Sequence, residues 1–342
     1  MDELAIPEDW LTDLRGSLLA WFDEHHRKLP FRGIDDPYGI WVSEIMLQQT
    51  QVQTVIDYWT RWMERFPDLE ALALADEEEV LRLWAGLGYY RRARLLHKAA
   101  KIMAEEGVPQ THAGWKALPG VGDYTAGAVT SIAFGVVEPA LDGNVQRVLA
   151  RLLEDSREIG SSAMVREQRA IAHSLVDPGR PGDFNQAMME LGARVCTPKK
   201  PVCEECPLQT WCLAYANQTQ NSLPTPKRRK APRTETQDVH VIFNRDSQVL
   251  MRRGDDSLLK GLWEFCGSSE GDLVVVGEVQ HVFSHIRMTY RVFCSLSNQS
   301  DGGEWIAPEE VEGLGISKAV AKIWRLVLSD MRVRSMINLP TP

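Results

Sequence analysis

The sequence predicts a multidomain protein, an all-α domain followed by a smaller α+β domain. Three observations carry this. Apolar residues recur at spacings of three and four from Asp36 to about Asn217, a polar and basic stretch follows, and beyond it the apolar period falls to two. A chain of 342 residues also has room for two cores and is long for one.

The helical part begins with Trp41, Ile45, Val52, Val55, Ile56, Trp59, Trp62, Met63 and Phe66, which form one buried stripe between Tyr38 and Phe66. Similar patterns recur in 80–84, 95–103, 125–134, 145–153 and 188–195, with no long alternating strand. Residues 217–238 (NQTQNSLPTPKRRKAPRTETQD) hold few apolar groups and three prolines, so the composition reads as a linker joining domains at 1–216 and 239–342. Its KRRK run reads as a solvated tether that meets phosphate without specificity. Period-two strands follow at 239–243, 248–253, 273–279 and 289–296, and a closing helix at 316–329.

With 44% hydrophobic and 25% charged residues the composition is globular, which excludes collagen-like, disordered and coiled-coil proteins. No segment reaches the run of about 18 apolar residues that a membrane span needs. The opening MDELAIPEDW carries four acids and no apolar core, unlike a secretory signal. A cytoplasmic protein of bacterial type, without a membrane partner, is expected. The net charge of -9 argues against a wholly basic DNA-binding face, so any contact with phosphate must be local, through short basic clusters and helix N-termini.

Cys196, Cys203, Cys206 and Cys212 are spaced C-x6-C-x2-C-x5-C. In a reducing compartment such spacing points to a metal or cluster rather than to disulfides. Zinc frameworks usually pair their cysteines across a longer span, whereas four thiolates on one compact loop suit a cubane iron–sulfur cluster; zinc stays as the alternative. Arg194, Lys199 and Lys200 beside the loop could meet phosphate. Cys266 and Cys294 lie in apolar strands and read as buried small side chains.

Residues 118–127 (LPGVGDYTAG) place Gly120 and Gly122 in a turn between two helical patterns, where the backbone can approach phosphate and the next helix offers free N–H groups. This binds a DNA backbone without reading sequence. In ALDGNVQRVLAR, Asp142 stands where a helix N-cap would, and Asn144 lies just inside that helix. Glu44 lies among apolar neighbours in WVSEIMLQQTQV, where burial should raise its pKa toward that of a general acid.

The hairpin, the capped Asp142 and the cysteine loop, in this order, resemble the helix-hairpin-helix DNA glycosylase superfamily related to endonuclease III, over residues of about 10 to 220. The strings around Glu44, GLGYYRRARLLHKA (86–99) and FNQAMMELGARVC (184–196) narrow the resemblance to the adenine DNA glycosylases. It implies one 4Fe–4S cluster held by the four cysteines, and a DNA duplex with adenine opposite 8-oxoguanine or guanine as partner. Glu44 is then the acid that protonates adenine and Asp142 the catalytic carboxylate, with Tyr124 and Asn144 orienting the acids and water. Arg32 and Gln186 line the adenine pocket, Gln49 and Tyr89 wedge into the duplex, Thr50 contacts DNA, and Arg91, Arg92 and Arg94 form a clamp beside the tyrosines. Members that also cut the backbone carry a lysine in the hairpin; Tyr124 at that position implies a monofunctional enzyme. A monomer is expected.

The second domain, with GLWEFCG (261–267), resembles a Nudix fold, but it lacks the Glu-rich box that holds magnesium, so pyrophosphate hydrolysis is not expected. Phe283, Ser284 and His285 match the Phe-Ser-His loop by which adenine glycosylases read 8-oxoguanine. Two other readings are an endonuclease III-like lyase and a non-catalytic iron–sulfur DNA-binding protein.

Overall fold

The computed structural model describes residues 8–227, 231–255, 260–267, 273–283, 286–300 and 302–337. The chain divides into two compact units, one from Met1–Ala73 with Lys98–Arg228 and the other from Leu74–His97 with Arg229–Pro342. No helix among the described residues is long and apolar enough to cross a membrane.

In the first unit, α1 (Glu8–His25) is a helix that the apolar stripes from Asp36 onward do not reach. It buries Leu14, Leu18 and Phe22, one per turn, each contributing about 1.5–3 kcal/mol by burial. The stripe from Tyr38 to Phe66 is two helices rather than one. In α2 (Pro37–Leu47), the Asp36 carboxylate caps the start by accepting from the backbone N–H groups of Tyr38 and Gly39 at 3.0 and 2.9 Å. α3 (Val52–Arg65) begins after a break at which Gln49 adopts a positive φ of 57°. α2 is buried all round, from Tyr38 to Met46, which makes it the central helix and explains why a glutamate on it is buried.

α4 (Leu69–Leu74) leads toward the second unit. The first resumes in α6 (Arg91–Glu106), which crosses the boundary, and in α7 (His112–Ala117) and α8 (Asp123–Phe134), the two helices flanking the glycine turn. α9 (Gly143–Leu152), α10 (Ser162–Leu175) and α11 (Pro181–Arg194) complete the bundle. α8 packs on α2, and α11 packs on α1, α8 and α9. The approaches are close enough to require glycine: a Cβ on Gly182 would stand 2.7 Å from Ile132 Cα, and one on Gly192 would stand 2.6 Å from Asn144 Cβ. The short α12 (Leu213–Ala216) follows the cysteine loop.

Residues 217–227, which composition assigns to a linker, are docked. Leu223 is buried, its carbonyl accepts from Arg151 Nε at 2.9 Å, and Thr225 O accepts from Ile159 N at 2.9 Å.

The second unit contains α5 (Glu77–Trp84) and a six-stranded mixed sheet. Its strands are β1 (Arg233–Phe243), β2 (Val249–Arg253), β3 (Trp263–Phe265), β4 (Val274–Val282), β5 (Ile286–Leu296) and β6 (Glu304–Ile306). The order is β3-β2-β1-β5-β4 with β6 joined to β2; β1 and β5 run parallel, Arg233 opposite Ile286 through Phe243 opposite Leu296. β1 therefore includes residues 233–238, which composition also assigns to the linker. α13 (Lys318–Ser329) buries Val320, Ile323, Trp324 and Val327 in the sheet core, and α14 (Met331–Met336) follows. Cys266 and Cys294 are both buried, as the apolar strands suggest. β3 and β6, of three residues each, are too short to show a period.

Candidate active site

A cavity of about 450 Å³ opens in the first unit, and Glu44, Tyr124, Asp142, Asn144, Arg32 and Gln186 all line it. Gln49 and Thr50 line it too. Eight residues singled out in separate stretches of sequence thus meet in one space.

Glu44 projects from α2 and is 6% exposed. Burial pushes its pKa up to about 7; the Tyr124 hydroxyl, which donates to Oε2, opposes the rise, and the neighbouring Asp142 carboxylate adds to it. Tyr124, on the first turn of α8, is itself held well above its usual range by burial and by the Glu44 charge, so it stays a donor. Its oxygen also lies 3.3 Å from Met189 Sδ on α11.

Asp142 is the N-cap of α9: Oδ1 accepts from Val145 N at 2.7 Å and Oδ2 from Asn144 Nδ2 at 2.7 Å. The residue that caps α9 also forms part of the cavity wall. Burial raises the Asp142 pKa, and the bonds from Val145 and Asn144 act against that rise. The cavity therefore holds two carboxylates of different character, one buried under a phenol and the other held by a helix start.

Arg32, also lining the cavity, donates from Nε to Gln186 Oε1 at 3.2 Å and from Nη2 to Glu190 Oε2 at 3.2 Å. Glu190 is 1% exposed; burial would raise its pKa, but the two-pronged bond from Arg27 and the Arg32 charge hold it below the usual value. Sequence reasoning missed Glu190 and Arg27. The signal was present, because Gln186 and Glu190 stand four apart on one face of α11.

Gln49 is exposed at the break after α2, and its left-handed backbone costs about 1–3 kcal/mol for a non-glycine residue. Tyr89 belongs to the other unit; it also has a positive φ, 49°, and is 47% exposed. The expected clamp beside it is only partly free. Arg91 is exposed, but the Arg92 guanidinium lies over the Trp84 and Tyr89 rings at 5.3 and 5.4 Å, where burial lowers its pKa to about 10. Arg94 donates to the Lys260 carbonyl.

The glycine turn sits between α7 and α8, with Gly120 at φ 79° and Gly122 as the N-cap of α8. Open space surrounds the position a Cβ would take on Gly122, so the backbone of the turn is open to a close approach there. Asp123 at this end is bound by Lys116 at 2.7 Å, which holds its pKa low.

The four cysteines, none of them in a disulfide, line one largely apolar cavity with Val148, Leu152, Leu191 and Leu208. Burial pushes the Cys206 thiol up to about 12, so ligation must release protons. Arg151, 2% exposed, donates from Nη1 to Cys196 Sγ at 3.2 Å and to the Thr197 carbonyl at 2.8 Å, the environment an anionic four-thiolate cluster requires. Arg147, one turn earlier, donates to the Cys196 carbonyl at 2.8 Å and to Asn144 Oδ1 at 2.9 Å, so the loop is tied to the cap that holds Asp142. Neither arginine was singled out from sequence. Lys199, Lys200 and Arg194 are all exposed, and Arg194 also donates to the His25 carbonyl. Cys203→Ser is expected to lose most of the brown iron–sulfur absorbance and much of the solubility; iron analysis of anaerobically prepared protein checks this, and zinc without iron in the wild type would exclude the cluster.

In the second unit Phe283 packs edge-on to His281 at 4.6 Å and onto the sheet core, and its N–H donates to the Ile286 carbonyl at 2.8 Å. Its ring thus faces its own domain. Ser284 and His285 lie outside the described residues.

Comparison with known proteins agrees with this geometry. Residues 42–171 match the HhH-GPD superfamily of base excision DNA repair proteins, 196–212 the iron–sulfur binding domain of endonuclease III, and 238–326 the NUDIX domain. The iron–sulfur match runs from Cys196 to Cys212, the first and last of the four ligands. Among solved structures, a thermostable thymine-DNA glycosylase aligns with TM-score 0.55 at 27% identity, covering 61% of this chain and 98% of that one. An endonuclease III–DNA complex aligns with TM-score 0.52 at 23% identity, over 63% of this chain and all of that one, and supports the fold. The adenine DNA glycosylase of Mus musculus is 37% identical over 92% of this chain and 78% of its own length, and that of Schizosaccharomyces pombe 32% identical over 96% and 92%. The chain pairs a helical iron–sulfur domain with a Nudix-like one, and it belongs to the adenine DNA glycosylase family.

Proposed function

We propose that the chain hydrolyses the N-glycosidic bond of adenine mispaired with 8-oxoguanine or guanine in double-stranded DNA, without cutting the backbone. One observation carries the reading: Glu44 and Asp142 share a cavity, the first under the Tyr124 hydroxyl and the second under the Asn144 amide.

The base must leave the stack, because its N9 bond is unreachable inside a duplex. Arg32 and Gln186 receive it, and Gln49 and Tyr89 are each assigned as wedges into the duplex. Glu44, protonated near neutral pH, gives its proton to adenine N7, and the base departs with the bonding electrons. The deoxyribose is left with oxocarbenium character, and the Asp142 carboxylate stabilises that positive charge. Water adds at C1′, its proton returns to the Glu44 carboxylate, and an abasic site remains. Cys196, Cys203, Cys206 and Cys212 would hold the cluster, which would supply architecture by fixing the loop, and Arg147 joins the Cys196 carbonyl of that loop to Asn144. No lysine is among the residues lining the cavity, which supports water rather than an amine as the nucleophile.

Selectivity for the lesion is assigned to Phe283, Ser284 and His285, a serine hydroxyl being able to address both the N7–H and O8 positions. The test compares excision of adenine opposite 8-oxoguanine, guanine and thymine. The expected order is that one, with negligible release opposite thymine. Joint replacement of Ser284 and His285 by alanine should compress the gap between the first two by about 1–3 kcal/mol per lost contact and leave the chemistry opposite guanine intact. An uncompressed gap would move lesion reading elsewhere; release of pyrimidines, or efficient borohydride trapping on an abasic duplex, would overturn the reaction assigned.

A further inference from the structure

The segment Leu74–His97, which carries Tyr89, lies in the same compact unit as the carboxyl-terminal sheet. Four contacts from the sheet domain hold it. Glu78 on α5 accepts from Trp263 Nε1 of β3 at 3.2 Å through one carboxylate oxygen, and pairs with Arg253 of β2 through the other. Arg253 and Trp263 are partners across the strands, and the guanidinium lies over the indole at 4.8 Å, so one carboxylate closes a three-membered clasp. Tyr90, 5% exposed, donates its hydroxyl to the Ile316 carbonyl just before α13 and accepts from Gly86 N, both at 3.3 Å. Arg94 donates to the Lys260 carbonyl.

These contacts bracket the turn that displays Tyr89. Gly86, Gly88 and Tyr89 all have positive φ, 98°, 75° and 49°. A tyrosine in that conformation, half exposed, persists only where its surroundings hold it. Within the turn Trp84 Nε1 bonds to the Gly88 carbonyl at 3.0 Å, and the next residue, Tyr90, is anchored to the sheet domain.

We propose that Glu78, Arg253, Trp263 and Tyr90 are positioning residues for Tyr89. Through them the Nudix-like domain assists opening of the duplex, apart from any reading of the lesion. The inference rests on the assignment of Tyr89 as a duplex wedge. It separates two contributions of one domain: the 283–285 loop sets which mispair is chosen, and the clasp sets how readily adenine leaves the stack whatever lies opposite.

The experiment uses the full-length protein with its cluster and two substrates, adenine paired opposite guanine in a duplex and adenine in a single-base bulge that is already unstacked. Arg253→Ala and Glu78→Gln should slow single-turnover excision from the paired duplex on the order of three- to tenfold and leave the bulge rate unchanged. Arg253→Lys, which keeps the charge on Glu78, should restore part of the loss, and the ratio of rates opposite 8-oxoguanine and guanine should not move. Tyr89→Ala is measured alongside. If it distinguishes the two substrates and the clasp variants do not, the clasp proposal is wrong. If Tyr89→Ala does not distinguish them, the wedge assignment fails instead. Equal slowing on both substrates in the clasp variants would show a general structural role and would also overturn the proposal.

Discussion

Glu44→Gln stops adenine release while duplex binding is kept, because the amide has the size of the protonated acid and no proton to give. The expected fall in single-turnover rate is about 10²- to 10⁴-fold, the contribution of a placed general acid. Wild-type activity opposite guanine should fall as pH rises through about 7, where Glu44 ionises, and also at low pH as Asp142 takes up a proton. The two carboxylates interact, so the limbs of that profile belong to the pair. The same substitution should reveal what the acid costs the fold. The folded pKa of Glu44 is raised from 4.5 to about 7, so its proton is bound more tightly in the native state. The penalty is absent below about pH 4.5, grows between there and 7, and is complete above, at about 3 kcal/mol. Glu44→Gln should therefore stabilise the protein at pH 8 by several times what it does at pH 5, as denaturant unfolding will measure. A near wild-type rate, or a stability change independent of pH, would show that Glu44 is not the buried acid.

Asp142→Asn should lower excision on the order of 10²- to 10³-fold, as loss of one preorganised charge does elsewhere, with little change in Tm. Asparagine caps helices about as well as aspartate, so the bond from Val145 N survives and α9 still starts where it does. What is lost is the negative charge toward which the sugar's positive charge develops. Asp142→Ala removes cap and charge together and should add about 0.5–2 kcal/mol of destabilisation. Unchanged turnover in Asp142→Asn would reduce the residue to a cap. Combined with Glu44→Gln, it should cost far less than the product of the single losses, because the two groups act on one transition state.

The residues that meet in this cavity were legible because they stand in short strings. A glutamate in an apolar helix, an aspartate before a helix start and four cysteines on one loop each carry a local physical signal, and the fold brings the first two into one cavity. The supporting residues were not legible, since their partners are distant in sequence. Arg147 and Arg151 look like the solvated face of α9 until the Cys196 loop folds over them, and Glu190 looks like a surface acid until Arg27 and Arg32 converge on it. Boundaries failed for related reasons. The seven-residue step from Ile45 to Val52 keeps the stripe in helical phase across the four polar residues Gln48–Gln51, so the turn at Gln49 does not shift the pattern. Polar composition suggested free chain at 217–238, yet Leu223 and the carbonyls around it are held by Arg151 and Ile159, and residues from Arg233 onward pair with β5. The attachment of 74–97 to the sheet domain has no sequence signature at all, because Glu78 meets Trp263 only in three dimensions.

The parallel pairing of β1 with β5 bears on how the chain matures during synthesis. The first unit ends at Arg228 and can condense first as the nascent chain lengthens, whereas α5, made earlier, waits for the sheet of the second unit. β1 emerges next, but Arg233 cannot pair with Ile286 until β2, β3 and β4 have left the ribosome. Until then an eleven-residue strand stands with that edge open, a template for pairing with another chain. A premature stop anywhere between β1 and β5 would make that interval permanent. Such truncated products should be lost to aggregation or proteolysis, whereas a chain ending just before β1 should persist as a helical remnant.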